Sequence, residues 1–343
     1  MRKLRVGVVG CGMFATNCIF PSLRHAPVDL VAVCDVDEER ANRNAKWFGA
    51  EKVYTDYGDM FAKENLDAVF VIIGPHRHPE VAIEAVKNGL HVYTEKPPAL
   101  NMQAAKEMCD ASKKYGSHIT VGFMKRFATV YRMGKSIVDE EGFGKPFQII
   151  LRSGYGPYPL KWAKEFNPFN FLLDNGIHFC DLARFFMGPI KSLHAELCKL
   201  TDKRFGYSVI MRSENDNVGI MNISTMQSRG YFSELVEISS NGELISMENQ
   251  NIIKYFRNCE LPSLSRTLSP EKDAILWQPN YSYPYVENSS LFHAGYVPEV
   301  ISFAKSILNG AEPRPNIKDG FEALKLVTAI YKSQGSDIRL DTL

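Results

Sequence analysis

The chain lacks the features that mark several protein classes. No apolar run reaches the ~18 to 20 residues needed to cross a bilayer. Seven cysteines (Cys11, Cys18, Cys34, Cys109, Cys180, Cys198 and Cys259) are scattered and form no CxxC pair, which argues against a disulfide framework or a structural zinc site and favours a reducing, cytoplasmic setting. With 40 basic and 39 acidic residues the formal charge is +1, so no global field draws in nucleic acid or an anionic membrane. Internal repeats, low-complexity tracts and long linkers are absent as well. The start MRKLR followed by VGVVGCG has the outline of a signal peptide, but its apolar part is short, carries three glycines and leads into a nucleotide motif. What is left is the composition of a globular protein, 45% apolar and 23% charged, in 343 residues that favour two cores.

The first third alternates between short apolar runs and helical stretches. LRVGVV (4–9) reads as a strand, followed by Gly10-Cys11-Gly12-Met13-Phe14-Ala15, a GxGxxA turn opening a helix. Gly10 permits the turn, Gly12 lets a pyrophosphate approach the backbone, and Ala15 lets the helix pack close to its strand. DLVAVC (29–34) ends in Asp35, 20 residues after Ala15, where a carboxylate can accept from the adenosine ribose hydroxyls and repel a 2′-phosphate. That favours NAD and leaves NADP open, since Arg40 and Arg43 follow on a helix whose simplest reading is a solvated face. Further strands are expected at KVYT (52–55), DAVFVII (67–73), HVYT (91–94) and HITVG (118–122), with helices at 37–48, 56–64, after Gly74-Pro75, and at 101–115. This alternation predicts an α/β fold: a doubly wound Rossmann parallel sheet over residues 1–122, with ligands beyond the carboxyl ends of its strands. Gly10 to Ala15, Asp35, Gly74-Pro75 and Glu95-Lys96 all fall at such ends.

From residue 123 to 343 the rhythm differs. An amphipathic helix (124–142), a strand (FQIILRS) and an aromatic, proline-rich loop precede LLDNGIHFCDLARFFMGP, in which Asp174, His178 and Asp181 at i, i+4 and i+7 share a helix face. Asp174 also suits an N-cap, and His178 a satisfied histidine at a domain junction. No further histidine or cysteine stands near them in sequence, which argues against a metal site. Beyond 190, SLHAELCKL, GYSVIMRS, VGIMNISTM, YFSELVEISS and ELISMENQNIIKYF read as strands of an open, largely antiparallel sheet, with Asn241-Gly242 as a hairpin turn and one face available to a subunit interface. Helices close the chain at 297–309 and 319–334.

Gly10-Cys11-Gly12, the Gly89-Leu90-His91-Val92 run closing in Glu95-Lys96-Pro97, the Met124-Lys125-Arg126-Phe127 segment, the Asp174, Gly176, His178, Asp181 array and Asp319-Gly320-Phe321-Glu322-Ala323-Leu324 together resemble the Gfo/Idh/MocA family of nicotinamide-dependent oxidoreductases. The resemblance runs nearly end to end. It implies a C-terminal α/β domain that holds substrate and serves a homo-oligomer (dimer or tetramer), and hydride transfer at a hydroxyl or carbonyl carbon of a sugar, cyclic polyol or related compound. It also implies a catalytic lysine and histidine at Lys96 and His178, Asp174 as their acidic partner, and Arg126 near nicotinamide and substrate. The family's frequent Thr-Pro-Asn after the fourth strand is replaced by Gly74-Pro75-His76, where His76 offers a hydrogen bond in place of asparagine, and His78 keeps the position before the helix.

These residues give a mechanism to test. Lys96, as an ammonium, donates to the reacting oxygen, and His178, with a reference pKa of about 6.5, accepts the proton near neutrality. The expected cofactor contacts are Gly10 to Ala15, Asp35, Gly74, Pro75, His76, His78, Glu95, Lys96 and Arg126. Arg126, Tyr155, Trp162, Asn175 and Tyr283 are the expected substrate contacts, with Tyr158, Lys161 and His293 as further candidates, because sugar faces stack on aromatic rings. Two other classes stay open: a glycosidase that oxidises its sugar transiently, and a non-catalytic dinucleotide or sugar sensor.

Overall fold

In a computed structural model, residues 2–228, 233–257, 274–282 and 285–343 are described. The chain divides into two compact units, Met1–Met124 with Gly295–Leu324, and Lys125–Ala294 with Lys325–Leu343.

The first unit is built on six parallel strands, β1 (Leu4–Val9), β2 (Val28–Cys34), β3 (Lys52–Tyr54), β4 (Ala68–Val71), β5 (His91–Glu95) and β6 (Ile119–Gly122). Their order is β3-β2-β1-β4-β5-β6. The order reverses between β1 and β4, and ligands bind beyond the carboxyl ends of strands at such a point. The connecting helices Glu38–Phe48, Tyr57–Lys63 and Met102–Tyr115 begin where Asp37, Asp56 and Asn101 accept backbone N–H bonds, and left-handed Gly49 and Gly116 end the first and last of them. Sequence division at 122 leaves Gly295–Leu324 with the second domain, whereas here it belongs to the first unit. The helix Tyr296–Leu308 explains why: Val300, Phe303 and Ala304 join Leu4, Val6, Ile19 and Phe70 in one buried cluster.

The second unit carries a nine-stranded sheet in the order β14-β13-β12-β11-β7-β10-β9-β8-β15. Its strands are β7 (Gln148–Gly154), β8 (Ile190–Lys199), β9 (Phe205–Ser213), β10 (Val218–Ser224), β11 (Ser233–Ser239), β12 (Leu244–Glu248), β13 (Ile252–Phe256), β14 (Ala274–Trp277) and β15 (Asp337–Arg339). All described pairings are antiparallel except β7 with β10. Asn241-Gly242 forms the β11–β12 turn, with Ser240 N–H donating to Glu243 O at 3.0 Å. The run ELISMENQNIIKYF is two strands rather than one, folded back where Asn249 and Gln250 take φ of 51° and 58°. Asparagine tolerates that region better than most residues, so the turn is written in side chains that contain neither glycine nor proline.

Leu151, Met211, Met221, Val236 and Met247 turn inward from this sheet and are fully or almost fully buried. On alternate positions Ile210 and Ile220, paired across β9 and β10, are 58% and 38% exposed. Among the described residues no helix is long and apolar enough to cross a membrane.

Candidate functional site

At the carboxyl end of β1 the chain turns sharply at Gly10. Its φ is +102°, its N–H donates to Cys34 O at 2.8 Å, and a Cβ there would lie 2.1 Å from the Ile72 carbonyl oxygen, so no other residue fits without displacing backbone. A Cβ on Gly12 would meet nothing within 4 Å. Open space therefore lies over that peptide, flanked by exposed Met13 and Phe14, while Ala15 is buried against the sheet. This cradle fits a dinucleotide pyrophosphate. The helix beyond it opens with a π-helical turn at Ala15–Ile19, a form often found at functional sites.

Asp35 sits beside the turn with a side chain only 9% exposed. Its Oδ2 accepts from Cys11 N–H at 2.7 Å and its Oδ1 from Asp37 N–H at 2.9 Å. Arg40, read from sequence as a solvated helix residue, instead brings Nη2 to 3.3 Å of Asp35 Oδ1 and Nε to 2.9 Å of Asp37. The carboxylate thus clamps the glycine turn, and Oδ2, which accepts from Cys11 N–H, has a second lone pair to offer a ribose hydroxyl. Two residues that sequence reasoning missed complete the clamp. Asn44, fully buried, donates to Cys11 O at 3.2 Å and accepts from Thr16 Oγ1 at 2.9 Å. Its only sequence signal was an asparagine on the face that carries Ala41 and Ala45.

At the end of β4, the His76 ring lies over Gly74, where a Cβ would come within 2.6 Å of its Cε1. His78 has no exposed surface, and its two ring nitrogens lie 2.9 Å from Pro97 O and 3.0 Å from Ile73 O. Burial lowers its pKa to about 4, so the ring is neutral and can donate one of these bonds. His78 accordingly ties the Lys96-Pro97 segment to the end of β4 and offers no edge to a cofactor. Glu95 ends β5 with 8% exposure, and its Oε2 accepts from Lys96 N–H at 3.2 Å.

In the second unit, Arg126 lies in a 3-10 turn, Met124–Phe127. Its Nε and Nη2 bind the two Asp181 oxygens at 2.8 and 2.6 Å, a bidentate pair in which Asp181 is 1% exposed. The neighbouring Lys125 donates to Glu234 Oε2 at 2.5 Å, and Tyr131 donates to the other Glu234 oxygen. That buried network was not foreseen, because Glu234 lies far along the chain on β11.

The helical stretch 168–187 begins at an Asn167 cap, passes through a π-helical turn at Leu172–Gly176 and continues as Ile177–Met187. Asp174 is therefore inside the helix, not its N-cap. Asp174, Asn175 and His178 stay partly exposed between buried Leu172, Leu173, Ile177 and Phe179. Asp174 accepts from Tyr158 Oη and, at 3.3 Å, from Trp162 Nε1. Burial, with Asp174 second, pushes the Tyr158 phenol far above its usual range, so it remains a donor. Tyr155 stacks edge-on to Tyr158 at 5.1 Å, and Ser153 Oγ donates to Asn175 Oδ1 at 3.3 Å. The aromatic loop thus gathers on Asp174, while Lys161 is exposed. His293 is 5% exposed and packs among Trp277, Tyr281 and Phe292, so it belongs to the core. Tyr283 lies outside the described residues.

Strand order, glycine cradle and the acid after β2 define a Rossmann dinucleotide-binding protein, and the second sheet is the kind that accompanies it in two-domain oxidoreductases. The family description "Oxidoreductase family, NAD-binding Rossmann fold" matches residues 4–123, and "Oxidoreductase family, C-terminal alpha/beta domain" matches residues 135–340. The chain belongs to the Gfo/Idh/MocA oxidoreductase family, and its cofactor is NAD. It is similar to myo-inositol 2-dehydrogenase of Thermotoga maritima, 26% identical over 96% of each chain, and to D-apiose dehydrogenase of Paraburkholderia graminis, 25% identical over 100% of this chain and 91% of that one. A dehydrogenase structure from Chromobacterium violaceum shares the fold with a TM-score of 0.87, at 22% identity and covering 97% of this chain and 96% of that one.

Proposed function

We propose that the chain oxidises or reduces a hydroxyl or carbonyl carbon of a sugar or cyclic polyol, with Lys96 and His178 as its catalytic residues and Asp174 as the orienting acid. The observation that carries this reading is the Asp174 site. A carboxylate held by a phenol and an indole stands one helical turn before a partly exposed histidine, and polyols are bound by such mixtures of acceptor and ring. The relatives that act on myo-inositol and D-apiose support the same substrate class.

NAD supplies the hydride acceptor when bound. Gly10 to Ala15 and Asp35 hold it, with Gly74, Pro75, His76, Glu95 and Arg126 as further contacts. Lys96 donates to the substrate oxygen and stabilises alkoxide character, and His178 takes the proton. Asp174 binds a neighbouring hydroxyl or orients the imidazole, and Tyr155, Trp162 and Asn175 line the sugar site. Residues up to 122, joined by Gly295–Leu324, form the dinucleotide domain, and the remainder serves substrate binding and oligomer contacts. Six free thiols among the described residues accord with a reducing, cytoplasmic setting.

The test is a panel of sugars and cyclic polyols assayed for NAD and NADP reduction, with Lys96→Ala and His178→Ala as variants. Each substitution is expected to lower kcat by about 100-fold or more while NADH binding persists. Near wild-type turnover in both variants overturns the assignment. Release of free sugar without net nicotinamide absorbance change marks a redox-neutral hydrolase instead.

A further inference from the structure

Beneath Lys96 the Rossmann unit buries a polar pair that the chemistry above leaves unused. Tyr93 stands on β5, three residues before Lys96, and Glu299 in the first turn of the helix Tyr296–Leu308; they are 0% and 1% exposed. The Tyr93 hydroxyl donates to Glu299 Oε2 at 2.8 Å and lies 3.4 Å from Glu95 Oε1. Glu95 Oε2 in turn accepts from Lys96 N–H. A continuous chain of polar contacts therefore runs from Glu299 through Tyr93 and Glu95 to the Lys96 backbone.

Packing alone does not account for it. The Tyr93 ring contacts Phe70 and Phe303 at centroid distances of 5.0 and 5.8 Å, which a phenylalanine would reproduce. The hydroxyl requires a buried carboxylate that an apolar core would omit. Space is also kept for it. Gly122 pairs with Glu95 in the β5–β6 register, and a Cβ there would lie 2.7 Å from Tyr93 Oη and 2.9 Å from Glu95 Oε1. Burial and the two carboxylates hold the Tyr93 phenol well above its ordinary range, so it stays protonated and a donor.

We propose that Tyr93 and Glu299 are positioning residues for Lys96: they fix the Glu95 carboxylate, and through it the Glu95-Lys96 backbone from which the lysine reaches its substrate. The proposal rests on the reading of Lys96 as a catalytic residue. A displacement of that backbone by about 1 Å is enough to cost on the order of 100-fold in rate.

The experiment compares full-length wild type, Tyr93→Phe, the double variant Tyr93→Phe/Glu299→Leu, and Lys96→Ala. The double variant removes the Tyr93 hydroxyl and the Glu299 carboxylate together, while Glu95 keeps the Lys96 N–H bond at its Oε2, and it is expected to fold. Circular dichroism and thermal melts establish folding, and NADH titration establishes cofactor binding. The expected result for the folded double variant is a kcat lower by about 10- to 100-fold with unchanged substrate KM and NADH Kd, the signature of a contact that matters only in the transition state. A merely structural role would move KM and NADH Kd as well, or nothing. Wild-type kcat in the double variant, with Lys96→Ala inactive, overturns this proposal alone. Wild-type kcat in Lys96→Ala overturns the Lys96 assignment and this proposal with it.

Discussion

Asp35 holds Cys11 N–H at 2.7 Å, and it is also the acid proposed to bind the adenosine ribose. Asp35→Ala removes both. NADH affinity should fall by about 10- to 100-fold, in line with a lost charged hydrogen bond, and the preference for NADH over NADPH should narrow because the carboxylate that repels a 2′-phosphate is gone and Arg40 keeps only its Asp37 pair of the two; fluorescence titration with the two nucleotides reads both effects. Asp181 holds Arg126 in a bidentate pair. Asp181→Ala leaves a guanidinium without its buried partner, with an expected loss of about 3 to 5 kcal/mol in urea denaturation. His78 gives the molecule an acid limit. Its pKa is lowered to about 4 by burial, whereas an unfolded histidine titrates near 6.5. Between those values the unfolded chain binds a proton that the folded chain refuses, so stability is full above the unfolded value and falls as pH drops toward the folded one, by about 3 kcal/mol from this group. Urea melts at neutral and mildly acid pH should show that loss, and His78→Gln, which does not titrate, should flatten it.

At the scale of elements, the glycine turn was legible because its demands are local. Gly10 needs a positive φ and a close carbonyl, and both follow from a strand that turns straight into a helix. Gly10→Ala is therefore expected to lower the melting temperature and abolish NADH binding, as thermal melts and titration would show. The strands of the first unit were readable for a similar reason: continuous apolar runs bounded by turn residues mark strands buried on both faces. The helix that carries Asp174 and His178 was only half legible. Spacing put the two side chains one turn apart, but the start at Asn167 and the π-helical turn at Leu172–Gly176 depend on how Phe171, Leu172 and Leu173 bury themselves, and spacing does not encode that. The β12–β13 turn was missed because its positive φ values fall on Asn249 and Gln250, where no glycine announces them.

At the scale of the molecule, the second sheet presents Ile210 and Ile220 on the face opposite its buried core, paired across β9 and β10. An apolar pair at the centre of an open sheet is consistent with a homo-oligomer, and Ile210→Glu with Ile220→Glu should shift the mass measured by light scattering toward the monomer. Equal masses for variant and wild type would remove this face from the interface. The sequence by itself determined the order of strand and helix in the first unit, the glycine cradle with its acid, and the residue types available for hydride chemistry, since each follows from neighbours a few positions apart. Only the tertiary structure decided that Gly295–Leu324 returns to the first core, that Asp181 pairs with Arg126, that Tyr158 and Trp162 converge on Asp174, and that Glu299 lies under Tyr93. Those outcomes depend on which distant side chains exclude water together, and burial of that kind leaves no local pattern in the chain.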